Sequence, residues 1–366
     1  MPTNRQNTLF TILFSGVLSM ETIYVMETGA YLRREGNAIR IMKGHRQVDR
    51  IPAQGLKKLI LVGYVSLSSG VLDFLIKNRV ETVFMTPSGR FRARLMPDEH
   101  RHVALRRSQY IKLDRPEFAL QAARSIVGGK LANMTRMLLK RGRQYKEEGL
   151  LKAAARLRSI EINLAQTTNM DMLRGMEGLS ARIYFSVFPL LIRNSDFIFK
   201  GRNRRPPRDP VNALLSFIYT LLTNEVLSAI KAWGLDPYMG SLHEISYGRP
   251  SLACDLVEEY RAFLGDRFVL GLINRKVIRA DDFVFRPNAP SSYRDEEEMK
   301  SRRPVLMKPA VGRTFINAYE AMMARTIHCP EPDKKLSYRR LILHQVRSFG
   351  KYLTDDEPYM PFKWEG

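Results

Sequence analysis

The sequence predicts an α+β protein, with a small β-rich N-terminal domain followed by a larger all-α domain. Three observations carry this. Residues 21–97 hold short strand-like runs separated by turn residues. From Pro116 onward, apolar residues recur at helical spacing in long stretches rich in Ala, Leu, Arg and Met. The chain's 366 residues, 45% of them hydrophobic, suffice for two domains with cores and are too apolar for a disordered chain.

Residues 1–19 stand apart from this plan. Thr8 to Met20 is apolar behind Arg5 and resembles a signal peptide, but no A-x-A-like cleavage site follows and Glu21 opens directly on a strand. They read as an extension from an upstream start, with Met20 the initiator. In the β-rich domain, taken as residues 20–97, strands are expected at Thr22–Val25 and at Ala38–Ile41 after the Gly36-Asn37 turn. Another is expected at Phe91, Ala93 and Leu95, with Arg92 and Arg94 on the other face. Leu59–Val62 and Val80–Met85 read as buried strands, Ser69–Lys77 as a short capped helix, and Pro87-Ser88-Gly89 as a turn.

Residues 98–115 read as a linker and residues 116–366 as the all-α domain. Helices are expected at Phe118–Val127, Leu131–Tyr145, Leu150–Gln166, Gly178–Leu191, Val211–Trp233, Leu252–Leu264 and Leu341–Leu353. Residues 286–304, rich in Pro, Ser and charge, read as a mobile loop. No run of about 18 apolar residues occurs, so no membrane span is expected.

The balance of 59 Lys+Arg against 37 Asp+Glu leaves a net charge of +22, which calls for a polyanionic partner. Nine Lys/Arg face two acids in residues 128–160, among them Lys130, Lys140, Arg141 and Arg143. Lys200 to Arg208 holds Lys200, Arg202, Arg204, Arg205 and Arg208 with no acid. Together the runs favour phosphate contact over solvated faces. An acidic membrane surface is the competing polyanion, with Leu138, Leu139, Leu150, Leu151 and Leu157 as its apolar face or, equally, as core. Two cysteines, Cys254 and Cys329, exclude a Cys₄ zinc site and a disulfide framework. They point to a reducing, cytoplasmic setting.

Gly128-Gly129-Lys130 lacks the upstream glycine and following Ser/Thr of a phosphate-binding loop, and no GxSxG elbow occurs. What remains is hard-metal chemistry by carboxylates and a histidine, which suits Mg²⁺ or Mn²⁺. His243 lies just ahead of a helix that Ser251 would cap and that carries Asp255, Glu258 and Glu259. On an ideal helical wheel Glu259 borders the stripe of Leu252, Leu256, Tyr260, Phe263 and Leu264. Glu258 projects away from it and Asp255 sits between, which leaves Asp255 and Glu258 even as ligands. Glu177 heads an apolar helix and reads, taken alone, as an N-terminal helix acid.

Three runs then resemble one family. They are Glu177-Gly178-x-x-Ala181-Arg182-x-Tyr184-Phe185, the stretch Asp209-Pro210-Val211-Asn212-Ala213-Leu214-Leu215-Ser216-Phe217-x-Tyr219-x-Leu221-Leu222, and Leu242-His243 with Gly248-Arg249-x-Ser251-Leu252-x-x-Asp255-Leu256-x-Glu258-x-x-Arg261. Together they resemble the CRISPR-associated spacer-acquisition integrase, the most widespread of the Cas adaptation proteins. The resemblance spans roughly residues 21–350 and implies a metal-dependent DNA endonuclease and integrase. It implies a homodimer that works with a small second Cas protein on double-stranded and branched DNA, with no membrane. It assigns the metal to Glu177, His243 and Glu258, with Asp255 a further acid close by, and the nucleophile to a DNA 3′-hydroxyl. Phosphate contacts are expected from Lys140, Arg141, Arg143, Lys200, Arg202, Arg204, Arg205, Arg208 and Arg249. The rival reading is a non-catalytic nucleic-acid-binding scaffold whose acids merely satisfy helix ends.

Overall fold

The computed structural model describes residues 12–14, 22–27, 29–86, 91–95, 102–203, 207–285, 305–329, 333–355 and 357–365. Met20 and Glu21, the turn at 87–89, Arg204, Arg205 and residues 286–304 lie outside them. The chain divides into two compact units. One comprises Met1–Asp98 with Lys308–Arg325, the other Glu99–Met307 with Thr326–Gly366.

The first unit is two sheets and two helices, one of them contributed from Lys308–Arg325. Its strands are β1 (Ile12–Phe14), β2 (Thr22–Val25), β3 (Tyr31–Glu35), β4 (Ala38–Lys43), β5 (Arg46–Pro52), β6 (Lys58–Val62), β7 (Ser66–Leu67), β8 (Glu81–Met85) and β9 (Phe91–Leu95). One sheet runs β1-β2-β6-β8-β9, the other β5-β4-β3-β7. The parallel pairing of β6 with β8 is bridged by α1 (Ser69–Lys77), whose Ser68 cap accepts from the Val71 N–H. β6, read as buried, and β2, read only as a strand, are both buried because they are central: Ile23, Val25, Leu59 and Leu61 pack with Leu32, Ile39, Ile51 and Leu75 in one core. β3 and β5 went unread because their outward residues are charged. β1, inside the stretch read as an extension, pairs antiparallel with β2.

The second unit is largely helical. It is built from α2 (Val103–Leu113), α3 (Pro116–Tyr145), α4 (Glu148–Asn163), α5 (Met170–Val187), α6 (Pro210–Trp233), α7 (Ser251–Leu256), α8 (Glu258–Tyr260) and α9 (Arg267–Asn274). Two hairpins accompany them, β10 (Phe283–Phe285) with β11 (Val305–Met307), and β12 (Thr326–Cys329) with β13 (Lys334–Ser337). Between the hairpins runs α10 (Pro309–Met323), which belongs to the first unit. The helix α11 (Tyr338–Thr354) follows.

Several expectations change. The linker at 98–115 contains α2, a helix held by polar anchors: the buried Gln109 amide donates to Asp236 O and Met239 O, both at 2.8 Å. The two helices expected at 118–127 and 131–145 are one helix running through Gly128-Gly129. Leu138, Leu150 and Leu157 are fully buried, so they are core and not a membrane face. The α6 helix is apolar and long enough to cross a membrane by composition, yet most of it is buried inside the fold.

Candidate functional site

Glycine in a helix interior costs about 1 kcal/mol against alanine, and Gly129 has a structural reason to be there. A Cβ at Gly129 would lie 2.6 Å from Pro361 Cβ and 3.4 Å from Glu259 Cγ, so only glycine lets the C-terminal segment close on α3. The next residue, Lys130, is thereby buried, with its side chain 8% exposed. Its ammonium is ion-paired to Glu177 and stands 2.8 Å from Glu258 Oε2. Lys130 is thus a site residue and not part of a phosphate-facing surface.

Glu177 does not head its helix. Asn169 is the cap, its side chain accepting from the Met172 N–H, and Glu177 sits mid-helix on α5. The helix expected at 252–264 is broken into α7, α8, a π-helical turn over Arg261–Asp266, and α9. The segment ahead of the π turn is buried on nearly every side, so a wheel that divides core from solvent fails there. Asp255, Glu258 and Glu259 are all buried rather than graded from core to solvent. Pro250, not Ser251, is the cap residue; Ser251 Oγ instead donates to Glu244 O at 2.9 Å.

Burial alone would push the Glu258 carboxyl up, but Arg261, 3.1 Å away, and Lys130 outweigh it, with a smaller contribution from His243, and hold it down to about 2. Glu258 Oε2 is buried with a cation beside it but no aligned hydrogen-bond donor. Asp255 serves a different purpose. Its carboxylate accepts the N–H groups of Ser241 (2.6 Å), Leu242 (3.0 Å) and His243 (3.0 Å), and lies 2.7 Å from His243 Nδ1. A Cβ at Gly240 would stand 2.6 Å from Asp255 Oδ2, so glycine lets this loop wrap the carboxylate. The clamp keeps the imidazole proton on Nδ1 and leaves Nε2 as the lone-pair donor.

Among the described residues, no three His, Cys, Asp or Glu side chains are already gathered at metal-ligating range. Lys130 occupies the place between Glu177 and Glu258. The residues nonetheless fit a hard divalent cation. Two carboxylates already share a buried cation, one of their oxygens lacks a donor, and an oriented imidazole is close enough to act on Glu258.

Behind Glu258 the chain is locked. Glu259 accepts from the Tyr359 hydroxyl and, at 2.8 Å, from the Phe362 N–H. Burial pushes its carboxyl up to about 7, and those two hydrogen bonds only partly offset the effect. The Asn133 amide donates to Glu259 O and Phe362 O, and Trp364 N–H donates to Asn133 Oδ1 at 2.7 Å. Asp266 accepts from the hydroxyls of Tyr184 (2.8 Å) and Tyr219, and burial raises its carboxyl to about 6. These residues define a small cleft with Lys130, Phe185 and Arg261.

Sequence reasoning gave no role to Arg261, Asp266 or Asn133, and placed Lys130 only in a basic run. Tyr184 and Arg261 stood in the motifs already quoted, and Lys130 followed a glycine pair no helix needs; those were the available signals.

The basic residues divide. Arg143, Lys200, Arg208 and Arg249 are exposed. Lys140 lies over the Trp364 ring at 5.0 Å, and Arg141 reaches Gln144. Arg202 is spent inside the fold, donating to Asn212 Oδ1 (2.6 Å) and Ser216 Oγ (3.2 Å) over the Tyr219 ring.

Fold and cluster together define a two-unit α+β protein whose helical unit brings two carboxylates, a lysine and a histidine together. Residues 23–320 match the family model described as CRISPR associated protein Cas1, and the chain belongs to that family. It is 36% identical over 352 residues to CRISPR-associated endonuclease Cas1 1 of Chlorobaculum tepidum, covering 94% of this chain and 98% of the relative. A solved CAS1 protein from Thermotoga maritima is similar at TM-score 0.76 and 26% identity, over 91% of this chain and 97% of that one. A casposase bound to integration product shares the fold at TM-score 0.78 and 20% identity, over 94% of each chain.

Proposed function

We propose that this chain is a divalent-metal-dependent DNA endonuclease and integrase that inserts spacer DNA into a CRISPR array. The observation that carries the reading is the pair of carboxylates, Glu177 and Glu258, held around one buried cation beside a clamped His243. Glu177, Glu258 and His243 Nε2 would hold Mg²⁺ or Mn²⁺. When bound, the ion polarises a DNA phosphate and stabilises the charge that develops on displacement. Asp255 fixes the histidine tautomer, and Arg261 keeps Glu258 ionised. The arginines and lysines of the second unit hold the DNA backbone without reading its sequence. A DNA 3′-hydroxyl is the nucleophile in joining and water in nicking, so the chain supplies none. It acts in the cytoplasm as a homodimer on double-stranded and branched DNA, with the small second Cas adaptation protein.

The ion pairing of Lys130 favours one rival, a scaffold whose acids need no metal. Incubating the purified protein with branched and 3′-ended duplex DNA, with and without Mn²⁺, separates the two. Metal-dependent nicking and strand joining are expected. Equal DNA binding in both conditions with no product in either would leave the scaffold standing.

A further inference from the structure

The outer face of the four-stranded sheet carries a row of like charges. Register places Arg33 on β3 opposite Arg40 on β4, and Arg40 opposite Arg50 on β5. Their neighbours Leu32, Ile39, Ile41 and Ile51 fill the core, so alternation sends all three arginines outward together. Like charges directly opposite one another destabilise a sheet, and among the described residues the acid that pairs with this row is Glu35, on Arg40. Arg33 and Arg50 have no ion-pair partner among the described residues. One step along, Tyr31 faces Met42 and is 43% exposed. An open depression of about 430 Å³, lined by Tyr31, Arg33, Arg40, Met42 and His45, runs beside the row.

We propose that this arginine row is a binding surface for the phosphate backbone of duplex DNA, separate from the basic residues of the second unit. The inference rests on the DNA-acting reading above and extends it to the first unit. With adjacent strands about 4.8 Å apart, the row spans about 10 Å. The same length of duplex axis carries about six phosphate charges, enough to neutralise all three arginines. Guanidinium groups bind phosphate oxygens in a fork, which lysines do not. A second copy of this chain does not suit the face, because a two-fold contact would set arginine against arginine.

The test compares wild type with the Arg33→Gln/Arg50→Gln variant. Duplex binding is followed by fluorescence anisotropy across a salt series, together with the thermal midpoint of the free protein and its sedimentation behaviour. Each lost phosphate contact should take about 0.9 off the slope of log K against log salt, so the double variant should bind with a slope shallower by about 2. Its midpoint without DNA, at low salt, should not fall and should rise as the repulsion is relieved. An Arg33→Lys/Arg50→Lys variant, which keeps the charge, should retain the slope while binding more weakly, and it carries the test should the glutamine variant not fold. An unchanged slope in the glutamine variant, where the wild type does bind DNA, overturns the proposal, as does a changed oligomeric state with unchanged DNA binding. Failure of the wild type itself to bind DNA would instead strike at the reading on which the proposal rests.

Discussion

Glu259 offers a perturbation whose sign depends on pH. The carboxyl is fully buried, and its folded value of about 7 stands above an ordinary 4.5. A raised value means the folded state favours the protonated form. Its contribution to stability is therefore complete below pH 4.5 and is lost as pH rises through 7. At about 1.4 kcal/mol per pH unit of separation, the loss amounts to about 3 kcal/mol. Glu259→Gln is the neutral isostere of the protonated acid, keeping an oxygen for the Phe362 N–H and a donor toward Tyr359. The variant should match wild type near pH 4.5 and exceed it by about 3 kcal/mol near pH 8. Asp266 titrates in the same range but is common to both proteins and cancels in the difference. Urea unfolding followed by tryptophan fluorescence suits the measurement, because both tryptophans, Trp233 and Trp364, lie in the second unit. By contrast, Glu259→Ala leaves the Tyr359 hydroxyl and Phe362 N–H without their acceptor, at about 1–3 kcal/mol each, and should destabilise at every pH. A Gln-minus-wild-type difference that is the same at both pH values would refute the reasoning.

Glu177→Ala, His243→Ala and Glu258→Ala should each abolish cutting and joining while duplex binding and its salt slope persist. Full metal-dependent activity in Glu258→Ala, with loss in a folded Glu259→Ala, would reverse the ligand assignment. Lys130→Met removes the cation between the two carboxylates. Breaking such a buried pair costs about 3–5 kcal/mol, at the low end here because Arg261 remains. The metal-free midpoint should fall and Mn²⁺ should restore most of it, whereas a midpoint indifferent to Mn²⁺ would sink the cation-exchange picture. Asp255→Asn should cost about 2–3 kcal/mol by weakening the acceptor of three N–H groups. It should also mix the His243 tautomers, visible by nitrogen NMR, and a retained single tautomer would show that the carboxylate does not fix the ring. Gly129→Ala gains helix propensity yet drives a Cβ to 2.6 Å from Pro361, so calorimetry should show a net loss of about 1–3 kcal/mol; a more stable protein would count against the closed strap.

The sequence was most legible where local signals and tertiary packing agree. Ser69–Lys77 has its Ser68 cap and apolar turn spacing and emerged at its observed bounds; Phe91–Leu95 also emerged at its bounds, but its alternation does not carry into packing, because Phe91 is exposed and the Arg94 side chain, paired with Glu81, is buried. The helix α3 was split at Gly128-Gly129 because the reason for Gly129, Pro361, lies more than 200 residues downstream. The helix α2 was missed because hydrogen bonds from Gln109, not an apolar stripe, hold it. At the site, residue identities were legible through resemblance, but their surroundings were not. Asn169, followed by Asp171, was a capping signal that would have put Glu177 mid-helix. The π turn over Arg261–Asp266 has no local signature in the sequence, and the wheel fails at Asp255, Glu258 and Glu259, which precede it, because their helix is buried on nearly every side.

The bond between Asn133 and Trp364 spans 231 residues, and that separation has a kinetic consequence. Contacts between such distant positions carry the full entropy of closing a very long loop, so they form after nearby helices have paired. Until the segment from Tyr359 to Trp364 arrives, the Asn133 amide and the Glu259 carboxylate are left without these partners, and Gly129 leaves an open notch in α3. The back wall of the carboxylate cluster is therefore among the last parts of the second unit to set. A folding intermediate with its helices in place but this segment detached would expose the Phe263 and Tyr260 rings, which Phe362 otherwise covers.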